Sequence, residues 1–276
     1  LCYTLFYQKG GRKMAFDSLF LTASLTEAKK QCLNSRILKI QEPDRNTILF
    51  RLNTLSNEQV TLFLSAHPQQ ARFQITKNHF TNPQQPPVFC QILRKYLENG
   101  KIIRMEQLPW ERIAEITIDS RNEIGDPMRL YLVIEIMGKH SNILLLKKEN
   151  KQRIILDGIH RYSHALSRYR EVLPGKIYLP PPPQQKAYLE EIEQETWQND
   201  LLQYDTNLPV VKALGLQLAG FSPTLTKTIV QNAGLAADIA IDDLGQYECY
   251  RLWQELQEIK QAKQENLLKP YFFYQQ

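Results

Sequence analysis

Residues 129–159 read RLYLVIEIMGKHSNILLLKKENKQRIILDGI. Three apolar runs, at 129–137, 142–147 and 153–159, alternate here with two turn signals, Gly138 onward and Glu149-Asn150. Each run is too short for a buried helix and is rich in Leu, Ile and Val, so each reads as a strand. Strands that follow one another with no helix between them pair antiparallel, which argues against a doubly wound parallel sheet.

Working upstream, residues 101–107 and 112–119 add two more strands. A Pro-rich loop over 82–87 introduces a helix with Val88, Ile92, Leu93, Tyr96 and Leu97 on one side and Gly100 as its stop. Before it, 36–41, 47–53, 60–66 and 72–75 form a meander that turns first at 43–46. The first element is a helix over 17–34, because Leu21, Leu25, Ala28 and Cys32 make one apolar stripe and Asp17 or Ser18 caps its first amides. Roughly nine strands and two helices predict an α+β domain.

Downstream, Pro180 to Pro183 is a stiff, extended segment, and the composition turns helical beyond it. Residues 208–217, the turn 220–223 and residues 224–232 read as helix, tight turn, helix, with Ser222 as cap, Pro223 in the first helical position and Gly234 as stop. This is a helix-hairpin-helix pattern. A long charged helix follows over 244–269, carrying Leu252, Leu256 and Ile259 and stopping at Pro270. The expected domains are therefore 14–179, 180–243, and 244–276 as the start of a coiled coil. Residues 1–13 read as a leader or remnant before a natural start at Met14.

The 276 residues are 43% hydrophobic and 23% charged, enough apolar surface for a core and too much for a disordered chain. No apolar run approaches the roughly 18 to 20 residues that cross a bilayer. The charge balance, 34 − 29 = +5, suits contact with polyanions without requiring it. Four scattered cysteines, Cys2, Cys32, Cys90 and Cys249, give neither a disulfide framework nor zinc-ligand spacing, and fit a reducing cytoplasm.

The dinucleotide, P-loop, α/β-hydrolase and zincin motifs are absent from the sequence. Asp17, Glu111 and Glu135 are candidates for acid/base work, with a helix cap and a turn residue as the plainer readings of the first two. Gly138 permits a tight turn from which Lys139, His140, Ser141 and Asn142 present a cation, an imidazole and two small donors to phosphate or sugar. The alternative is a hairpin whose Ser and Asn satisfy their own backbone, and the residues leave both open. Trp110-Glu111-Arg112 puts an aromatic, a carboxylate and a cation at a strand start, suited to base stacking and phosphate pairing or to a surface ion pair. Arg94 and Lys95 flank the second helix stripe, and Arg161, Arg168, Arg170 and Lys176 extend a basic stretch before the prolines.

Five strings in order resemble the NFACT family: Met14-Ala15-Phe16-Asp17, Phe89-Cys90 through Arg94-Lys95 with Gly100, Trp110-Glu111-Arg112-Ile113, Glu135 through Gly138-Lys139-His140-Ser141-Asn142, and Leu173-Pro174-Gly175 through Tyr178 to Pro181. The resemblance implies an N-terminal domain similar to the Fpg/Nei DNA glycosylases, then a helix-hairpin-helix domain and a coiled coil. It implies no cofactor, no metal and no enzymatic activity of its own. The implied partners are tRNA and the large ribosomal subunit obstructed by peptidyl-tRNA, with no membrane, and the implied outcome is an untemplated C-terminal tail on a stalled chain, alanine in bacteria. Glu111-Arg112 falls where the family usually shows Asp-Arg, a pair implicated in tRNA recruitment, and Asp17 matches the acidic residue of the family's first helix. Glu at 111 adds a methylene to that pair. Arg94, Lys95, Glu111, Arg112, Lys139, His140, Ser141, Asn142 and Asp17 are thus the expected nucleic-acid contacts. Two rival readings are a duplex-DNA-binding relative of the glycosylases without catalysis, since the nucleophilic N-terminal Pro is missing, and a fibronectin-binding surface adhesin.

Overall fold

The computed structural model describes residues 16–165 and 168–268; the expected leader at 1–13, Met14 and the Pro270 stop lie outside them. The elements are α1 (Ser18–Cys32), β1 (Arg36–Asp44), β2 (Thr47–Asn53), β3 (Gln59–Ser65), β4 (Arg72–Thr76), α2 (Val88–Leu97), β5 (Lys101–Gln107), β6 (Ile113–Arg121), β7 (Pro127–Glu135), β8 (Asn142–Glu149), β9 (Gln152–Gly158), α3 (Gln194–Leu201), α4 (Val210–Gln217), α5 (Pro223–Asn232) and α6 (Gln246–Gln264). Two compact units result, Ser24–Pro182 and, of the described residues, 16–23 with 183–268.

In the first unit nine strands form one sheet in the order β4-β3-β2-β1-β5-β6-β7-β8-β9, every pairing antiparallel. The α+β class expected from the runs is the class observed. Residues of β6, β7, β8 and β9, among them Ile113, Val133, Leu144, Leu146 and Ile155, pack with Val172 into a buried cluster. The β8–β9 hairpin closes through Asn150 and Lys151, both at positive φ (45° and 69°), the backbone that matches strand twist in a two-residue turn. Beyond β9 the chain folds back along that strand, with Ile177 bridging Ile154 and Tyr178 N–H donating to the Arg153 carbonyl at 2.7 Å.

The second helix ends differently from expectation. Asn99, at φ 67°, takes the left-handed position that terminates α2, not Gly100. Gly100 serves packing instead: a Cβ there would lie 2.9 Å from the Leu97 carbonyl oxygen and 3.0 Å from Ile118.

In the second unit α5 has the expected termini. The Ser222 hydroxyl accepts from Leu225 N–H at 3.1 Å, Pro223 opens the helix, and Gly234 at φ 78° closes it. The last helix stops earlier than the proline suggests. Asn266, at φ 54°, lets Leu267 N–H reach the Ala262 carbonyl and Asn266 N–H the Lys263 carbonyl, a Schellman ending. Cys249, Leu252, Leu256, Ile259 and Ala262 of α6 are all buried, so its apolar stripe is already covered. Among the described residues no helix is long and apolar enough to cross a membrane.

Candidate nucleic-acid interface

β6 and β7 pair from Ile113↔Glu135 to Arg121↔Pro127, so the start of β6 and the end of β7 share one end of the sheet. Ile136 N–H donates to the Arg112 carbonyl at 2.8 Å, which ties the turn before β6 to the loop after β7. This brings Glu111 and Arg112 to the same end as Lys139, His140, Ser141 and Asn142. The turn is fixed from several sides: Glu111 N–H donates to the Leu108 carbonyl, Leu108 N–H to the Ile113 carbonyl, and Gln107 Nε2 to the Glu111 carbonyl at 2.8 Å. Trp110 sits at φ 54°, uncommon for a bulky residue, and is only 1% exposed. Its indole is therefore an anchor and offers no surface for a base to stack on, which corrects one of its expected roles. Glu111 and Arg112 are both half-buried.

After β7, Gly138 at φ 59° opens a single 3-10 turn over Gly138–His140. The Ser141 hydroxyl accepts from Met137 N–H at 2.9 Å. Asn142 is fully buried; its Nδ2 donates to the His160 carbonyl at 2.9 Å, and its Oδ1 accepts from Ile143 and His160 N–H. Ser141 serves the loop's own backbone and Asn142 clamps the backbone of residue 160, and Lys139 and His140 are the two that face solvent.

Arg94 and Lys95 lie elsewhere. Arg94 Nε donates to the Ile40 carbonyl at 2.8 Å, and Lys95 Nζ sits 2.9 Å from Glu123, in the turn at the far end of β6. The length of β6, about 27 Å at 3.4 Å per residue, separates that end from Arg112. The structure does not gather these two residues with the others.

Asp17 belongs to the second unit and is 4% exposed. Its Oδ1 accepts from Phe20 N–H at 2.9 Å, and its Oδ2 accepts from the Ser222 hydroxyl at 2.9 Å. One carboxylate thus caps α1 and ties it to the cap of α5.

Three further carboxylates are buried in the first unit. Glu135 accepts from Arg170 Nη1 at 2.7 Å and from Nη2, and from the Tyr178 hydroxyl at 2.9 Å; Arg170 Nη1 also donates to the Leu179 carbonyl. Burial opposes the Arg170 charge, but the bonds to Glu135 more than offset it and hold the guanidinium above its usual pKa, while burial and the same carboxylate push the Tyr178 hydroxyl up. Asp157 is likewise held, by Arg161 at 2.7 and 2.6 Å. Lys176 pairs with Glu171 at 3.1 Å. Arg161, Arg170 and Lys176 therefore answer carboxylates, and they do not form the basic stretch read from the sequence. Glu42 is the contrasting case: its Oε2 has no hydrogen-bond partner, and desolvation raises its pKa to about 7. The sequence carried no sign of these pairings, because Glu135 and Arg170 lie 35 residues apart. Among the described residues no cluster could hold a metal ion.

The first unit is thus an α+β unit built on one antiparallel sheet, with a buttressed turn and an exposed Lys-His loop at one sheet end. The sequence profile described as NFACT N-terminal and middle domains matches residues 17–276, and the chain belongs to that family. Among curated proteins, the Rqc2 homolog RqcH of Bacillus subtilis is 36% identical over 228 residues, 83% of this chain and 39% of that protein. The Rqc2 homolog RqcH of Streptococcus pneumoniae is 41% identical over 169 residues, 61% of this chain and 30% of that protein. The chain thus spans well under half the length of these relatives. Among solved structures, the N-terminal part of the fibronectin/fibrinogen-binding protein of Streptococcus suis superposes with a TM-score of 0.72 at 29% identity, covering 88% of this chain and 85% of that one. The fibrinogen-binding protein of Staphylococcus aureus gives 0.73 at 30% identity, covering 91% and 83%.

Proposed function

We propose that this chain is the RNA-binding N-terminal part of a cytoplasmic ribosome quality control factor, which recruits tRNA to a large subunit obstructed by peptidyl-tRNA and so supports untemplated tailing of the stalled chain. The observation that carries this reading is the Glu111-Arg112 turn, buttressed by Trp110 and joined to the Lys139-His140 loop at one end of the sheet. A guanidinium on a fixed backbone meets phosphate or a base edge with little ordering cost, and the carboxylate beside it accepts from exposed base amino groups. Bond making in tailing belongs to the ribosome, so the protein contributes positioning and needs no catalytic residue. The α4–α5 pair is read as a helix-hairpin-helix; at the α5 N-terminus Pro223 has no N–H and Leu225 N–H is taken by Ser222, so the pair enters this reading without a phosphate contact at that end. Asp17 enters this reading as a structural cap and makes no RNA contact.

The test is to purify the protein from cells at stated salt and sequence the RNA that accompanies it, with Arg112→Ala alongside. The expected result is large-subunit ribosomal RNA with a narrow tRNA set, the tRNA lost in the variant and the ribosomal RNA kept. Equal tRNA recovery from the variant would remove Arg112 from the recruiting role. The names of the two solved relatives favour one rival, adhesion to fibronectin or fibrinogen. Degradation of the protein by protease added to intact cells would support that rival over the ribosomal reading.

A further inference from the structure

One row of directly paired residues crosses four strands. Arg36 of β1 faces Lys101 of β5, Lys101 faces Asp119 of β6, and Asp119 faces Arg129 of β7. Residues paired in this way project from the same face of a sheet. The row lines an open cleft of about 730 Å³ that also takes in Glu98, Asn99, Ser120 and Arg121.

The charges in this row are not balanced. Asp119 gives both oxygens to Arg129, at 2.7 Å from Nε and 3.0 Å from Nη2. Glu98 accepts from Ile40 N–H at 3.1 Å and lies 3.8 Å from Arg94. Among the described residues neither Arg36 nor Lys101 has an ion-pair partner. Their closeness is imposed by the backbone: Ile37 N–H donates to the Gly100 carbonyl at 2.9 Å and Ile102 N–H to the Ser35 carbonyl at 3.0 Å. That pattern makes Arg36 and Lys101 a non-hydrogen-bonded pair, the kind with Cα atoms about 4.5 Å apart and side chains nearest each other. Like charges directly opposite each other cost stability in a sheet, and an anion seated between them removes that cost.

Size and charge indicate which anion. Four cations line the cleft, Arg36, Lys101, Arg121 and Arg129, against the two carboxylates Glu98 and Asp119. The row spans three interstrand spacings, about 14 Å, longer than a single phosphate requires. We propose that this cleft binds the phosphate backbone of single-stranded RNA, with Arg36 and Lys101 as its principal contacts. It lies at the opposite end of β6 from Glu111-Arg112, and the inference does not depend on that turn recruiting tRNA.

The test is fluorescence anisotropy of fluorescein-labelled polyuridine RNA with the 276-residue chain across a salt series. Arg36→Gln with Lys101→Gln is expected to weaken binding about tenfold at low salt and to flatten the slope of log K against log salt by about 1.4, the value for two lost phosphate contacts on a single strand. The thermal midpoint of that variant should be unchanged or higher, since a repulsive pair is gone. Arg36→Lys with Lys101→Arg keeps both charges and should bind like the parent. The same loss in an Arg112→Gln background would show that the cleft acts separately from the turn. Unchanged affinity and slope in the double Gln variant would overturn the proposal. So would equal weakening in the charge-preserving variant, or displacement of the RNA by polyglutamate or inorganic phosphate at matched ionic strength.

Discussion

Glu135 and Glu42 are buried in the same sheet, on β7 and β1, and are treated in opposite ways. Glu135 has a guanidinium across from it and a phenol beside it. Glu42 is 5% exposed with one oxygen unanswered, and Asp44 and Asp157 add to the desolvation that raises its pKa. The sheet interior thus holds one carboxylate by pairing it, while burial moves the other's pKa up toward neutrality. A buried acid is tolerated in either form, provided its charge and its surroundings agree.

The largest effect is expected from making Glu135 resemble Glu42. Arg170→Ala should cost about 3–5 kcal/mol, because it strands a buried carboxylate and frees the Leu179 carbonyl as well. Urea denaturation of the first unit checks this, and a loss under about 1 kcal/mol would mean that water reaches Glu135.

Next comes the pH dependence of Glu42. With the folded pKa near 7 and an ordinary value of 4.5, the folded state holds the proton more tightly. Its contribution is then fully present below about pH 4.5, falls as pH rises from there to 7, and is lost above 7, a span on the order of 3 kcal/mol. Glu42→Gln should flatten that slope, and the variant should be the more stable form at pH 8. Parallel stability curves for parent and variant would show that the carboxylate is not desolvated in solution.

A smaller effect is expected from Asp17→Ala. Loss of the α1 cap and the Ser222 bond should cost about 1–2 kcal/mol, read from the unfolding of the second unit. Asp17→Asn, which still accepts from Phe20, should recover part of it. Tyr178→Phe is the mildest change, about 1 kcal/mol, because Arg170 still answers Glu135. If it cost as much as Arg170→Ala, the phenol and not the guanidinium would be what holds Glu135.

These carboxylates also mark where the sequence stopped being legible. The strands could be read because alternating and continuous apolar runs report local geometry, and β2, α2 and β5 lie over the residues their runs suggested. β6 and β7 are displaced by one or two residues from their runs, and for β7 the reason is that Ile136 and Met137 look like strand but bend into the loop that Gly138 opens. Asn99 and Asn266 ended helices where a glycine and a proline were the stronger signals, because asparagine tolerates the left-handed backbone well enough to act first. Of the site, the Lys139-His140 loop and the Glu111-Arg112 turn could be picked out as unusual strings. That Trp110 would be buried, that Asn142 would clamp residue 160, and that Arg170 would leave the surface for Glu135 depended on contacts between residues far apart in the chain.

The return of the chain along β9 has a bearing on how copies of this protein behave toward one another. An open sheet presents unsatisfied amides and carbonyls at its rims, and a neighbouring molecule's strand can dock there as the first step of a fibril. Residues 176–178 occupy one rim with their own hydrogen bonds. The other rim, β4, is five residues long and carries Arg72, and short charged edges are poor templates. A proteolytic nick ahead of residue 176 would therefore be expected to release aggregation before it released the fold.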